Sequence, residues 1–328
     1  LSIGGSLIDA WHDVTLLDAE PGPLSHDEII EKVVAHWPQV VMVGHSGSTS
    51  AHPIVAELTR RIRAARPNTY IIYGGVFPTY HWREVMEAEP QIDFIVRGEG
   101  EVLFLKILEY IENPTGHLDK ELAQSKDIRI DLDSMPPADY SDFDMSLYTT
   151  KGISGEISRG CVANCQYCSE TTFWKYRSRQ GSKVLEEIEI AYRNQKVEIV
   201  HFIDSLVNGN LRELREFAQG LIDKEINIRW TGYARVDGRI DKDFWKLLQR
   251  SGAWGFAFGI ESGSQHVLNL MKKNCKVEWI EENFKDLGDI NMISNFGTWF
   301  TGFPGEEYTD VAQTMARIWR LRNSGLGR

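Results

Sequence analysis

Three thiols within eight residues, Cys161, Cys165 and Cys168 in the run Arg159-Gly160-Cys161-Val162-Ala163-Asn164-Cys165-Gln166-Tyr167-Cys168, have the density and softness to hold a metal. Three thiolates can ligate three corners of a cubane iron–sulfur cluster and leave one iron without a protein ligand, whereas electron carriers close every iron with cysteine. The competing readings are a zinc knot or a set of buried structural thiols. A structural zinc wants four N/S ligands, usually as two C-x2–4-C pairs. The one further cysteine, Cys275, lies more than a hundred residues on, in a charged stretch read as helical, Lys272-Lys273-Asn274-Cys275-Lys276, and reads as a spare thiol. The spacing therefore favours an open iron, and an open iron implies chemistry.

The elements that must position these thiols follow from hydrophobic periodicity. Residues 1–114 alternate short apolar strands with amphipathic helices: strands at Val14–Leu17, Val40–Val43, Tyr70–Tyr73 and Phe94–Val96, and helices from Asp27 after the N-cap Ser25, from Pro53, from Trp82, and to Asn113. Strand, small-residue loop and helix in repetition predict an α/β domain, a doubly wound parallel sheet. Residues 115–150 lack periodicity and contain Met135-Pro136-Pro137, a linker that no helix can occupy. Residues 151–328 predict five βα units, with strands at Glu156–Ser158, Ile199–Ile203, Ile228–Ala234, Trp254–Ile260 and Ile293–Phe300. Chain start and end both read as truncated, with a first strand missing from the N-terminal domain and a sixth from the C-terminal one.

Polar and glycine motifs fall at the carboxyl ends of these strands, where parallel α/β sheets and barrels build their sites. In the first domain these are Ser46-Gly47-Ser48, Gly74-Gly75 and Arg97-Gly98-Glu99-Gly100; in the second, Asp204, then Tyr233, Arg235 and Asp237, then Glu261-Ser262-Gly263, then Gly302-Phe303-Pro304-Gly305-Glu306. Arg235 and Asp237 could equally form a salt bridge at the barrel end.

The cysteine run, with the aromatic Tyr167 before its third thiol, resembles the signature of the radical SAM enzymes, a partial (βα)6 barrel in which S-adenosylmethionine (SAM) binds the open iron of a [4Fe–4S] cluster and yields a 5′-deoxyadenosyl radical. The resemblance implies that Cys161, Cys165 and Cys168 hold the cluster and that Tyr167, Asp204, Arg235, Glu261, Ser262, Gly302 and Gly305 line the SAM site. Under it, Asp204 meets the methionine amino group, the Glu261 segment faces ribose and methionyl, and the Gly302–Gly305 turn supports adenine by its backbone. No catalytic side chain beyond the cluster and SAM site is implied. The preceding glycine loops resemble a cobalamin-binding domain, in which Ser46, Ser48, Gly74 and Gly75 would let the nucleotide tail of cobalamin pass close to the backbone. His45 and His81 are the histidines nearest its presumed corrin edge.

Longer runs, Val43 to Pro53, Tyr73 to Glu84 and Ser169 to Arg177, resemble the anaerobic magnesium-protoporphyrin IX monomethyl ester oxidative cyclases of bacteriochlorophyll and chlorophyll biosynthesis in photosynthesis. The resemblance covers nearly the whole chain and implies closure of the isocyclic fifth ring on a Mg-porphyrin substrate, with oxygen from water, to give protochlorophyllide. It also implies a low-potential electron donor such as ferredoxin or flavodoxin. Phe173, Trp174 and Tyr176 could lie against a flat tetrapyrrole or pack on their own domain. Two other readings share these domains: a cobalamin-dependent radical SAM C-methyltransferase, and a cobalamin-binding Fe–S sensor.

Composition narrows the partners. With 42% hydrophobic and 25% charged residues the chain reads as globular, and its net charge of −11 argues against nucleic acid as a partner. No apolar run approaches the ~20 residues that span a bilayer. Unpaired thiols and an oxygen-sensitive open cluster point to the cytoplasm of an anaerobic or microaerobic cell.

Overall fold

The computed structural model describes residues 2–19, 23–45, 49–114, 130–136, 142–143, 145–148, 152–292, 294–322 and 324. The chain divides into two compact units, Leu1–Tyr148 and Thr149–Arg328. Most of the expected 115–150 linker, and both Ser46 and Ser48, lie outside the described residues.

In the first unit, helices α1 (Ser2–Asp9) and α2 (His26–His36) precede strand β1 (Val40–His45), α3 (His52–Ala65), β2 (Tyr70–Gly75), α4 (Val76–Tyr80), α5 (Trp82–Ala88), β3 (Phe94–Val96) and α6 (Gly100–Glu112). Ser25 caps α2 as expected, in a capping box with Glu28: the Glu28 amide donates to Ser25 Oγ at 3.3 Å and the Ser25 amide to Glu28 Oε2 at 2.7 Å. The three strands are parallel, in the order β1-β2-β3. Alternate side chains serve opposite faces. Ile72 packs with Leu7, Leu103, Phe104 and Ile107 from α1 and α6, whereas Ile71 and Tyr73 pack with Val55, Ile62 and Val85 from α3 and α5. Helices thus cover both faces, which is why β2 is apolar on both. The expected strand Val14–Leu17 pairs with no described strand; Val14 instead packs against the α1–α6 cluster.

The second unit contains a five-stranded parallel sheet, ordered β10-β9-β8-β7-β4. Its elements are β4 (Gly152–Gly155), the short β5 (Ser158–Arg159), α7 (Glu170–Phe173), β6 (Arg177–Ser178), α8 (Gly181–Gln195), β7 (Ile199–Phe202), α9 (Leu211–Asp223), β8 (Arg229–Ala234), α10 (Lys242–Arg250), β9 (Ala253–Glu261), α11 (Gln265–Leu270), α12 (Val277–Asp289), β10 (Phe296–Trp299) and α13 (Tyr308–Leu321). Each strand after β4 adds beside its predecessor in the sheet, the progression of a parallel barrel wall. Edge-to-face aromatic contacts run through Phe217, Phe202, Trp230 and Phe256 to Trp245, Phe258 and Phe284, fastening helices to the outer side of the wall. Two expectations are corrected. The first strand of the wall is Gly152–Gly155, and Ser158 belongs to a separate antiparallel pair with β6. The stretch around Cys275 is a connector between α11 and α12: burial alternates residue by residue from Met271 to Lys276, a period of two where a helix would need 3.6.

Candidate functional site

The cysteine loop leaves β5 and returns through α7 to β6, so the β5–β6 pair, Ser158 opposite Ser178 and Arg159 opposite Arg177, closes its base. Gly160 turns the chain at φ +76°, and a Cβ there would stand 2.9–3.0 Å from backbone atoms of Trp174, Lys175 and Tyr176. Only glycine fits both the conformation and the space. Within the loop, the Ala163 amide donates to Cys161 Sγ at 3.4 Å and the Cys168 amide to the Cys165 carbonyl at 3.2 Å. Cys161 and Cys165 are half-buried and Cys168 is exposed. Burial pushes the Cys168 thiol up; an amide bond from Glu170 opposes this, and the charges of Glu170 and the other two thiols reinforce it. Three thiolates on one loop thus repel one another until a cation compensates them. Among the described residues no three Cys, His, Asp or Glu side chains already stand at metal-ligand separation. The donor set is nonetheless all sulfur, which suits iron–sulfur ligation and no hard cation.

Asp204 stands just beyond β7, 3% exposed, and accepts the Ile157 amide at 2.9 Å and the Ser158 amide. Burial, then the charge of Glu156, raises its carboxyl to about 7 against the lowering effect of those amides. The carboxylate expected to meet a methionyl amine is therefore turned onto the backbone that leads into the cysteine loop. Ser262 likewise has partners within the protein. It is fully buried, with Oγ 3.1 Å from Thr314 Oγ1 on α13 and accepting the Ser264 amide at 3.1 Å. Ser264 and His266 in turn hold Asp310 at 2.5 and 3.0 Å, so this turn docks α13. Hydrogen bonds from Ser264, Glu307 and His266 hold the Asp310 carboxyl down to about 2.

The remaining expected residues gather where β8, β9 and β10 end. Glu261 closes β9 at φ +70°, its Oε1 accepting Thr298 Oγ1 at 3.2 Å and lying 3.7 Å from Lys273 Nζ. Lys273 Nζ donates to Tyr167 Oη at 3.1 Å, and the Tyr167 ring meets Phe300 edge-on at 5.3 Å. Burial and the charges of Glu261 and Cys165 raise the Tyr167 phenol far above its ordinary range. The Arg235 guanidinium donates to the Lys273 carbonyl, while Asp237 pairs with Arg239 at 2.5 Å and feels the Arg235 charge as a weaker influence. Gly302 and Gly305 take φ +91° and +90°; a Cβ on Gly302 would meet nothing within 4 Å, whereas one on Gly305 would stand 3.0 Å from Leu270 Cδ1. Lys273 had no signal in the sequence beyond a lysine in a charged run. Cys275, beside it, is buried, and burial raises its thiol to about 11.

In the first unit, Gly44 pairs with Gly74 and His45 with Gly75 at the ends of β1 and β2. The nearest atom to a Cβ on Gly44 would be Gly74 O at 3.8 Å, and Gly75 has φ +114°. Gly44, Gly74 and Gly75 thus leave backbone bare of side chains at the strand ends, which suits close approach of a ligand chain. His81 stacks on Phe77 with ring centroids 4.6 Å apart.

Comparison with known proteins matches residues 1–108 to the B12 binding domain and residues 156–318 to the radical SAM superfamily. The anaerobic magnesium-protoporphyrin IX monomethyl ester cyclase of Synechocystis sp. is 38% identical over 97% of this chain and 67% of its own length. The chain belongs to that cyclase family. Its namesake from Rubrivivax gelatinosus is 25% identical over 94% of this chain, which spans 59% of that relative's length. Among solved structures, the cobalamin-dependent S-adenosylmethionine radical enzyme OxsB superposes with a TM-score of 0.80 at 17% identity, over 96% of this chain and 48% of its own, and so shares the fold. The two domain types of this cyclase-family chain bring a [4Fe–4S] cluster, SAM and cobalamin as cofactors. Among the described residues no helix is long and apolar enough to cross a membrane.

Proposed function

We propose that the chain forms the cofactor-binding part of an enzyme that closes the isocyclic fifth ring of Mg-protoporphyrin IX 13-monomethyl ester to give protochlorophyllide. The observation that carries this reading is the 38% identity to the Synechocystis cyclase across 97% of the chain. Cys161, Cys165 and Cys168 hold the cluster, being the three thiols of one loop. SAM bound at such a cluster supplies a radical strong enough to take hydrogen from an unactivated C–H bond.

The chain's own residues orient and shield. Gly302 presents open backbone in the turn it shares with Gly305. Glu261 offers a partly buried carboxylate, 13% exposed, to a polar part of SAM, and Tyr167 forms an aromatic wall beside the thiols. The Gly74–Gly75 crest, with Ser46 and Ser48 of the sequence, receives cobalamin. A low-potential carrier such as ferredoxin or flavodoxin supplies electrons, water supplies the new ketone oxygen, and the cytoplasm is the compartment.

The test is the product formed by the full-length protein with SAM, cobalamin, reductant and the Mg-porphyrin monoester in labelled water. A five-ring product with unchanged carbon count and one labelled oxygen supports the cyclase. A product heavier by one methylene rejects it for a C-methyltransferase, and SAM that is never cleaved reductively rejects both for a sensor.

A further inference from the structure

We propose that Lys273 is a positioning residue for the cysteine loop and that its buried charge raises the reduction potential of the cluster held there. A lysine ammonium is rarely withdrawn from water without a partner. Lys273 is withdrawn, its side chain 5% exposed, and its ammonium lies between Tyr167 Oη at 3.1 Å and Glu261 Oε1 at 3.7 Å. The backbone is bent to place it. Lys272 and Asn274, on either side, both take left-handed conformations, at φ +52° and +51°, which non-glycine residues seldom adopt. The Arg235 guanidinium holds the Lys273 carbonyl, and two residues earlier the Met271 carbonyl accepts the Gln166 amide at 2.9 Å, fastening the connector to the cysteine loop itself. Space is kept for the pair, because a Cβ on Gly259 would stand 2.8 Å from Glu261 Oε1 and 3.6 Å from Lys273 Nζ.

The consequence is electrostatic. The Tyr167 hydroxyl that Lys273 engages belongs to the residue that immediately precedes Cys168, so a fixed positive charge is held against the cysteine loop through one phenol. Reduction adds one electron, and thus one negative charge, to the cluster. A buried cation stabilises that reduced state more than the oxidised one, and a buried carboxylate does the reverse. Lys273 and Glu261 thus set the potential in opposite senses. The inference rests on the assignment of Cys161, Cys165 and Cys168 as cluster ligands and is independent of the substrate.

The experiment is an anaerobic redox titration of the reconstituted protein with dithionite, followed by EPR, with iron counted per chain. At the potential where half the native cluster is reduced, Lys273→Met should lower the reduced-to-oxidised ratio about tenfold, equivalent to 59 mV for one electron. Lys273→Arg should stay within about threefold of native, Glu261→Gln should raise the ratio, and Lys272→Met, at an exposed neighbour, should leave it unchanged. If Lys273→Met loses its iron, Tyr167→Phe carries the test, and a lowered ratio supports the proposal. Full iron with an unshifted ratio in Lys273→Met or, failing that, in Tyr167→Phe overturns this proposal alone. Native protein that takes up no iron overturns the ligand assignment and this proposal with it.

Discussion

Cys275 differs from the three loop thiols in being buried. Burial raises it to about 11, where an ordinary thiol sits near 9, so it carries on the order of a hundredfold less thiolate at pH 8. Alkylation of metal-free protein with iodoacetamide, followed by peptide mass mapping, should therefore modify Cys275 last of the four. Iron content separates them in the same way. Replacing Cys161, Cys165 or Cys168 by Ala should abolish uptake of about four iron per chain, while Cys275→Ala should retain it. Equal loss at Cys275 would replace the open site with a closed four-cysteine one.

Asp204 makes a separate prediction from the sign of its shift. Its folded value of about 7 exceeds the ordinary value of 3.8, so the folded state holds a proton that the unfolded state has already released. The stability it contributes is complete below about 4 and is lost as pH rises towards 7. The stability difference between native protein and Asp204→Asn, measured by denaturant titration, should shrink over that window; a flat difference would show an ordinary carboxylate. Such roles are where sequence reading ends. The types and order of Asp204, Ser262 and Glu261 are visible in the chain, but whether each faces a ligand or its own backbone depends on what tertiary packing sets beside it. Asp204 finds the Ile157 and Ser158 amides and Ser262 finds Thr314. Lys273 is indistinguishable from Lys272 until the connector's alternating burial is known.

At the scale of elements, the β5–β6 pair sets the base of the cysteine loop, and Gly160 is its tightest point. Gly160→Ala adds a side chain at φ +76° and a 2.9 Å approach to the Trp174 carbonyl oxygen. A loss of roughly 2–3 kcal/mol is expected from the left-handed conformation and the overpacking together, read as a lower urea midpoint, with reduced iron uptake. Full retention of both would mean that the loop does not depend on this closure. Most strands and helices were legible because their apolar periods are clean: Phe94–Val96 and Trp82–Ala88 fall where the pattern puts them. The first strand of the wall was misplaced because Gly152-Ile153-Ser154-Gly155 has one apolar side chain and takes its place only by pairing with β7. Val14–Leu17 has the apolar pattern but no described strand to pair with; Val14 packs against the α1–α6 cluster and Leu17 is exposed.

At the scale of the whole molecule, a B12-binding domain precedes a radical SAM domain along one chain, an order shared with the cyclases and with OxsB's fold. The glycine crest of the first unit should matter to cobalamin and not to iron. Gly74→Val would push methyl groups towards Met42 and Val96, 3.5 and 3.7 Å from its Cβ. Hydroxocobalamin affinity should fall at least several-fold by spectral titration, with iron per chain unchanged. Loss of both cofactors would mark a folding defect, and unchanged affinity would move the cobalamin site elsewhere.

The most direct measurement is the mass of the product that the full-length protein makes from Mg-protoporphyrin IX monomethyl ester under anoxia, in oxygen-18 water. Ring closure with water as oxygen source predicts an unchanged number of carbons, one heavy oxygen and the red-shifted absorption of a five-ring macrocycle. A product carrying one extra methylene, or vigorous SAM cleavage with the porphyrin recovered unchanged, would contradict it.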